Sequence, residues 1–423
     1  MTQPEQPTTR GDQRPPSEKS QRGLDWFAFF LADVQVGFGP FLSIYLTTNK
    51  WTNADIGIVL SVGSIIGLLG QVPGGALIDA LRRDKLVATV AMVAIGISAL
   101  WIALSPQFLS VLLAQALHVS ASVIIGPALA AISLGIAGYS LIGERLGRNA
   151  RFASCGSIAA GAFMGLVGQT FSSQAVFYVT AMMAVPAVIA LRAISSDDIR
   201  RGHRDDPPQE HYEVIPAILE LARERTLLVL AGCVFFFHLA NAAILPIVAS
   251  TITMRVGEKA TLLIALAMIV PQIMVAFASP HVGRLADRQG RRWLLLLGFA
   301  ALPIRSILLA STTEPFALVA IQLLDGISAT CLGVLVATCV ADIERGKGRF
   351  NLALGFVGTA MGIGAAISTT MAGIVADKYG SSTALLLLSV IALIGFIICA
   401  LFLPETKNTA APEGRRGCDE TKQ

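Results

Sequence analysis

The sequence predicts an all-α membrane protein, with twelve transmembrane helices arranged as two pseudo-symmetric six-helix bundles. Three observations carry that expectation. Hydrophobic residues make up 54% of the 423-residue chain and charged residues only 14%. A soluble domain carries about 25% charged residues, so the excess apolar surface here has to face lipid. The apolar residues also fall into twelve runs, each near the ~20 residues that cross a bilayer as a helix. Finally, the second half of the chain repeats motifs of the first.

Taken in order, residues 1–23 are rich in Pro, Gln, Ser and charge and lack an apolar core flanked by a cleavage site. They read as a disordered tail, not a signal peptide. Six runs follow, at about 26–47, 54–78, 86–104, 108–138, 152–171 and 175–193, and make the first bundle, 24–193. A polar linker, 194–225, separates them from six more, at about 226–250, 261–282, 293–311, 315–341, 350–375 and 382–403. These make the second bundle, 226–403, and residues 404–423 form another disordered tail. Glycine and proline inside the runs (Gly37, Gly39 and Pro40; Gly126 and Pro127) are tolerated, because neighbouring helices satisfy the freed backbone groups. The spacing Gly161–Gly165 permits close helix contact. At the end of the linker Ile215, Ile218, Leu219 and Ala222 share one helical face. This suggests a short surface helix, with a solvated tether as the alternative.

Charge sets the orientation. Of the 32 Lys and Arg, only Lys50, Arg255, Lys259 and Lys378 fall in the odd-numbered loops, and Arg305 lies inside a span. The other 27 lie in the tails, the linker and the even-numbered loops. Positive charge stays inside, which makes the chain a multi-pass protein of the plasma (inner) membrane with both termini cytoplasmic. A net charge of +4, thinly spread, gives no footprint for nucleic acid. The six cysteines form no CxxC and read as small buried hydrophobes, apart from Cys418 in the tail.

The repeat is specific. GALIDALRRDK (Gly75–Lys85) follows span 2 and GRLADRQGRRW (Gly283–Trp293) follows span 8, with Gly75 and Gly283, and Asp79 and Asp287, each 208 residues apart. At the same offset Leu31-Ala32-Asp33 meets Leu239-Ala240-Asn241. At 207, Gln115-Ala116-Leu117-His118 meets Gln322-Leu323-Leu324-Asp325. Parallel six-span repeats suit a transporter whose halves rock against each other.

The second loop resembles the conserved GxLaDrxGrr loop of the major facilitator superfamily at every fixed position. The first copy keeps Gly75, Leu77, Asp79 and Arg83 but has Arg82 where the family has glycine, which puts its tight turn in question. The resemblance implies the twelve-helix major facilitator fold and a cytoplasmic gate that closes while the cavity faces out. Its residues would be Gly75, Asp79, Arg83, Gly283, Asp287, Arg288, Gly290 and Arg291. Each Asp would sit near the unpaired N–H groups at the start of a helix in the other half. Glu144 and Arg151, an E-x6-R pair after span 4, and Glu344 after span 10 are further gate candidates; Asn351 breaks the same spacing in the second half.

In such transporters spans 1, 4, 7 and 10 line the cavity. An ionisable side chain at membrane depth costs at least about 2.5 kcal/mol, so each one needs an account. Asp33, His118, His238 and Asp325 lie on those four spans, with Gln115, Asn241 and Gln322 beside them. They are the candidates for substrate binding and proton coupling, one hydrogen-bonded pair per half: Asp33 with His118, and Asn241 with Asp325. Arg305, on span 9, is expected to snorkel to the membrane surface, with an inward-facing position that would favour an anionic substrate as the alternative, and Gln272 is similarly open. No GxxxxGK[ST] loop, nucleophile–base constellation or metal-ligand cluster is present, so neither ATP drive, enzymatic activity nor a cofactor is expected. The family's frequent span-4 arginine is replaced by Gln115, and span 5 lacks GPxxGG, which weakens a multidrug reading. The expected function is proton-coupled efflux of a small organic solute by a monomer. An uptake permease and a transport-inactive receptor or scaffold are the alternatives.

Overall fold

The structure, a computed structural model, describes residues 17–38, 40–81, 83–202, 213–256 and 260–407. These form seventeen α-helices, and twelve stretches are long and apolar enough to cross a membrane. Span 1 is broken: α1 (Glu18–Gly37) is followed by α2 (Pro40–Thr48). Proline supplies no N–H to continue the ladder. Next come α3 (Asn53–Leu81), α4 (Asp84–Leu104), α5 (Phe108–Ala137), α6 (Ile142–Thr170) and α7 (Ser173–Ala193). The linker holds α8 (Ser196–Gly202) and α9 (Val214–Leu221). Span 7 is α10 (Arg225–Asn241) with α11 (Ile244–Val256), and α12 (Ala260–Gln289) and α13 (Arg292–Ala310) are spans 8 and 9. Span 10 is α14 (Pro315–Ile321) with α15 (Leu323–Ile343), followed by α16 (Phe350–Tyr379) and α17 (Ser381–Phe402).

Several helices outrun their apolar windows. α6 begins ten residues before the expected 152, because Glu144, Arg145, Arg148 and Arg151 are held by partners described below. Residues 18–23, given to the tail on composition, are the first turns of α1. Ser17 caps that helix, and both it and Ser20 donate to Asp198 Oδ2, at 2.8 and 2.6 Å. Residues 403–407 also pack back on the bundle. The rest of both tails, residues 203–212 of the linker, and Arg82 lie outside the described residues.

One buried core runs from Leu24 to Ile199 within the first half; another fills the second half and crosses into the first through Leu134, Tyr139, Ile142 and Leu146. The halves meet through α3 on α16 and α6 on α12. Both seams are tightest at the end of the bundle that holds the chain termini. A Cβ on Gly75 would lie on the Asn351 carbonyl, and one on Gly283 on that of Gly143. Away from that end the helices part. Gly57, Gly161, Gly165 and Gly373 have nothing within 4 Å of a built Cβ. The close contact expected at Gly161–Gly165 is therefore absent; this stretch of α6 packs through Ala160 and Met164 instead.

Candidate functional site

The two loop aspartates each cap a helix of the opposite half. Asp287, in the last turn of α12, accepts from the backbone N–H groups of Gly143 (3.1 Å) and Glu144 (2.6 Å) at the start of α6. Asp79, near the end of α3, accepts from Leu352 N (2.9 Å), Asn351 N (3.3 Å) and Asn351 Nδ2 (2.7 Å) at the start of α16. The capped residues obey the same repeat: Gly143 and Asn351, like Asp79 and Asp287, are 208 apart. Asn351 thus answers to Gly143, not to Arg151, and the E-x6-R pair is not a repeated unit. A carboxylate at a helix N-terminus is worth about 0.5–2 kcal/mol. Two such caps tie the halves together at this end.

The supporting groups differ between the copies. Arg291 is buried, donating Nε to Asp342 Oδ2 at 3.0 Å and lying 3.4 Å from Asp287. Glu405, past α17, accepts from the N–H groups of Arg291 (2.8 Å) and Arg292 (3.1 Å). Burial raises the Glu405 pKa, but the N–H groups of Arg291, Lys407 and Arg292 outweigh it and leave the carboxyl below its usual range. Gly290 holds the turn at φ +106°, a left-handed conformation suited to glycine. Arg83, the counterpart of Arg291, is exposed and has no partner among the described residues, since Leu134 and Gly135 stand where the second half has Asp342. The Arg288 side chain is exposed too, and only its carbonyl is used, by Lys407 Nζ at 2.6 Å.

Glu144 and Arg151 do not pair with each other. Both reach α12 instead, Glu144 to Arg284 at 3.9 Å and Arg151 Nε to the Ala276 carbonyl at 3.0 Å. Gln272 also joins this seam, accepting from Ser154 Oγ at 2.8 Å. Glu344 is buried but serves its own loop, accepting from Arg349 Nε (2.9 Å) and Lys347 Nζ (3.3 Å). Arg349 goes on to Glu220 of α9. Across the halves, the Arg345 guanidinium lies 5.1 Å from the Tyr139 ring centroid. Sequence reasoning missed Asp342, Glu405 and this stack.

Beyond the closed end lies a cavity of ≈ 650 Å³ lined by both halves, including His238, Asn241 and Asp325. Asp33, Gln115, His118 and Gln322 are not in its lining. Gln71 of α3 and Asn149 of α6 are. Asn149 is the end of a buried chain. Asp25 binds Arg145 and, at 2.5 Å, Arg148; Arg145 donates to Asn149 Oδ1 (2.7 Å), and Asn149 Nδ2 to Ser133 Oγ (2.6 Å).

The second half does build a polar cluster, around Arg305. Its side chain is 2% exposed and does not snorkel to the surface. It bonds Asp325 Oδ1, Asn241 Oδ1 (2.7 Å) and Gln322 Oε1 (2.6 Å). Those residues sit at the breaks of spans 7 and 10: Asn241 ends α10, Gln322 separates α14 from α15, and Asp325 is in the first turn of α15. So Asn241 and Asp325 come together through a third residue.

The expected Asp33–His118 pair does not form. The Gln35–Ser122 bond (3.1 Å) and the stack of Phe38 on His118 (centroids 3.5 Å apart) fix the antiparallel register of α1 and α5. That register sets Asp33 level with about residue 124, roughly 9 Å along the helix from His118 at 1.5 Å per residue. Both His118 ring nitrogens and Gln115 Oε1 are buried without a hydrogen-bond partner among the described residues. Asp33 is 7% exposed and bonds to no described group. Along the helix axis it is level with the turn of α5 that carries Gly126, a lining residue, but Asp33 itself is not in the lining.

Comparison with known proteins agrees with the geometry. The sequence profile of the Major Facilitator Superfamily matches residues 26–270 and 230–418. Two uncharacterised MFS-type transporters of Mycobacterium tuberculosis (strains CDC 1551 / Oshkosh and ATCC 25618 / H37Rv) are 36% identical over 390 residues, 91% of this chain and 93% of theirs. The class B tetracycline resistance protein of Escherichia coli is 26% identical over 137 residues, 32% of this chain and 33% of its own. The fold is that of the proton:xylose symporter XylE (TM-score 0.68, 13% identity, 92% of this chain and 95% of that one). It is equally that of FucP in the outward conformation (TM-score 0.68, 15% identity, 90% and 97%). With two capped seams, a shared cavity and a full-length profile match, this chain belongs to the Major Facilitator Superfamily and is a membrane transporter, not an enzyme.

Proposed function

We propose that the protein exports a small organic solute in exchange for protons by alternating access, with both termini cytoplasmic. The structure is then an outward-facing state, with its cytoplasmic side shut by Asp79 and Asp287. The observation that carries the coupling is the contrast between the two intramembrane aspartates. Asp325 is bound to a buried guanidinium, and discharging it would strand that charge at about 3–5 kcal/mol. Asp33 has no cationic partner among the described residues, so it can take and release a proton without stranding anything. The export direction is supported by the partial likeness to the tetracycline resistance protein. The bundle acts as a monomer in the lipid bilayer.

The test is flux in proteoliposomes with and without an imposed pH gradient, read beside counterflow. Asp33→Asn should abolish uphill export while counterflow survives, and Asp325→Asn should not uncouple in this way. Uphill transport by Asp33→Asn with unchanged pH dependence would remove Asp33 as the carrier.

A further inference from the structure

We propose that the Arg305–Asp325 pair sets the polarity of what the cavity accepts. It selects apolar or amphiphilic compounds that carry a hydrogen-bond donor, ammonium or hydroxyl, over carboxylates. The inference rests on the transport reading above, in that it takes the cavity as the solute site.

The pair is oriented. Arg305 lies behind the wall at 2% exposure, while the Asp325 side chain is 25% exposed and lines the cavity. The positive end of the dipole is therefore buried and the carboxylate end faces the solute. No Lys or Arg is among the described lining residues. The other polar groups there are Gln71, Asn149, His238 and Asn241. The Asn241 oxygen is spent on Arg305, the Asn149 amide on Arg145 and Ser133, and His238 Nδ1 is held at 2.9 Å from the Val234 carbonyl. The Gln71 amide, Asn241 Nδ2 and His238 Nε2 are the other polar atoms, and the rest of the surface is carbon, including Phe237, Leu332, Val336 and Met361.

An entering carboxylate would meet a like charge with no cation to pair. A polyol would leave most of its hydroxyls against carbon, each unmet group costing about 1–3 kcal/mol. An ammonium or hydroxyl can instead donate to Asp325 while its skeleton fills the apolar wall, the usual composition of a small-molecule site. The device belongs to the second half alone, since Ile97 stands at the place of Arg305 in the repeat.

The experiment is binding to the purified full chain of three matched probes: 3,3,3-triphenylpropylamine, 3,3,3-triphenylpropan-1-ol and 3,3,3-triphenylpropanoate. The wild-type protein should bind the amine and the alcohol at least about tenfold more tightly than the carboxylate, a difference of about 1.4 kcal/mol. Asp325→Asn leaves Arg305 uncompensated, and the order of amine and carboxylate should reverse. Should that variant not fold, Arg305→Gln/Asp325→Asn removes both charges together. It should lose discrimination between the charged probes. Equal binding of amine and carboxylate by the wild type, binding of none of the three, or an order untouched by either variant overturns the proposal. Flux is scored separately. The predicted ranking without transport of a bound probe keeps the selectivity and contradicts the export reading. Transport with the ranking absent does the opposite.

Discussion

At membrane depth a charged side chain costs at least about 2.5 kcal/mol, and Arg305 offsets that with Asp325, Asn241 and Gln322. Removing the arginine alone strands the carboxylate. Arg305→Gln should therefore destabilise the protein by about 3–5 kcal/mol, and adding Asp325→Asn should restore most of the loss, read as thermal unfolding in detergent. A double variant no more stable than the single one would show that the pair is not coupled. The sequence marked all four of these residues as polar groups in apolar runs, yet the cluster itself was not legible. Span 9 counts as peripheral, and only the packed structure brings its long side chain between the breaks of spans 7 and 10. The failed Asp33–His118 pairing has the same root, since residue order does not fix how far one helix slides along its neighbour.

Among the elements, the loop motif identified Asp79 and Asp287 because one stretch of chain carries the whole signal. Asp342 and Glu405 were invisible, since each arrives from a separate helix end with no spacing to announce it. Asp287→Asn keeps the shape of the cap but removes its charge. It should slow net flux by roughly a factor of five, the effect of about 1 kcal/mol, with probe binding little changed. Unaltered flux would reduce the loop to an anchor of topology. The carboxyl-terminal strap adds a pH prediction. Despite burial, three N–H groups hold the Glu405 carboxyl below the usual 4.5. The contribution is thus complete above that value and lost as pH falls through the depressed one. Protease cleavage at Lys407 should therefore rise only in acid below about pH 4.5, and Glu405→Gln should make it constant across pH. Cleavage independent of pH in the wild type would contradict the clasp.

For the whole molecule, the twelve spans and the repeat were legible because lipid imposes length and hydropathy on every crossing. The asymmetry of the assembly, shut at the terminal end and parted at the other, was not, because both arrangements share one apolar pattern. Rocking of the halves is the central claim, and paired distances measure it most directly. Spin labels at exposed Ser140 and Gln289 report the closed end, and labels at exposed Gln169 and Leu266 report the parted end. Gly75→Ala with Gly283→Ala places a methyl against each facing carbonyl and should wedge the seams open. The Ser140–Gln289 distance should then lengthen while Gln169–Leu266 shortens, by double electron–electron resonance in nanodiscs. If both distances lengthen together, or neither changes, the halves do not alternate about the cavity and the alternating-access mechanism is wrong.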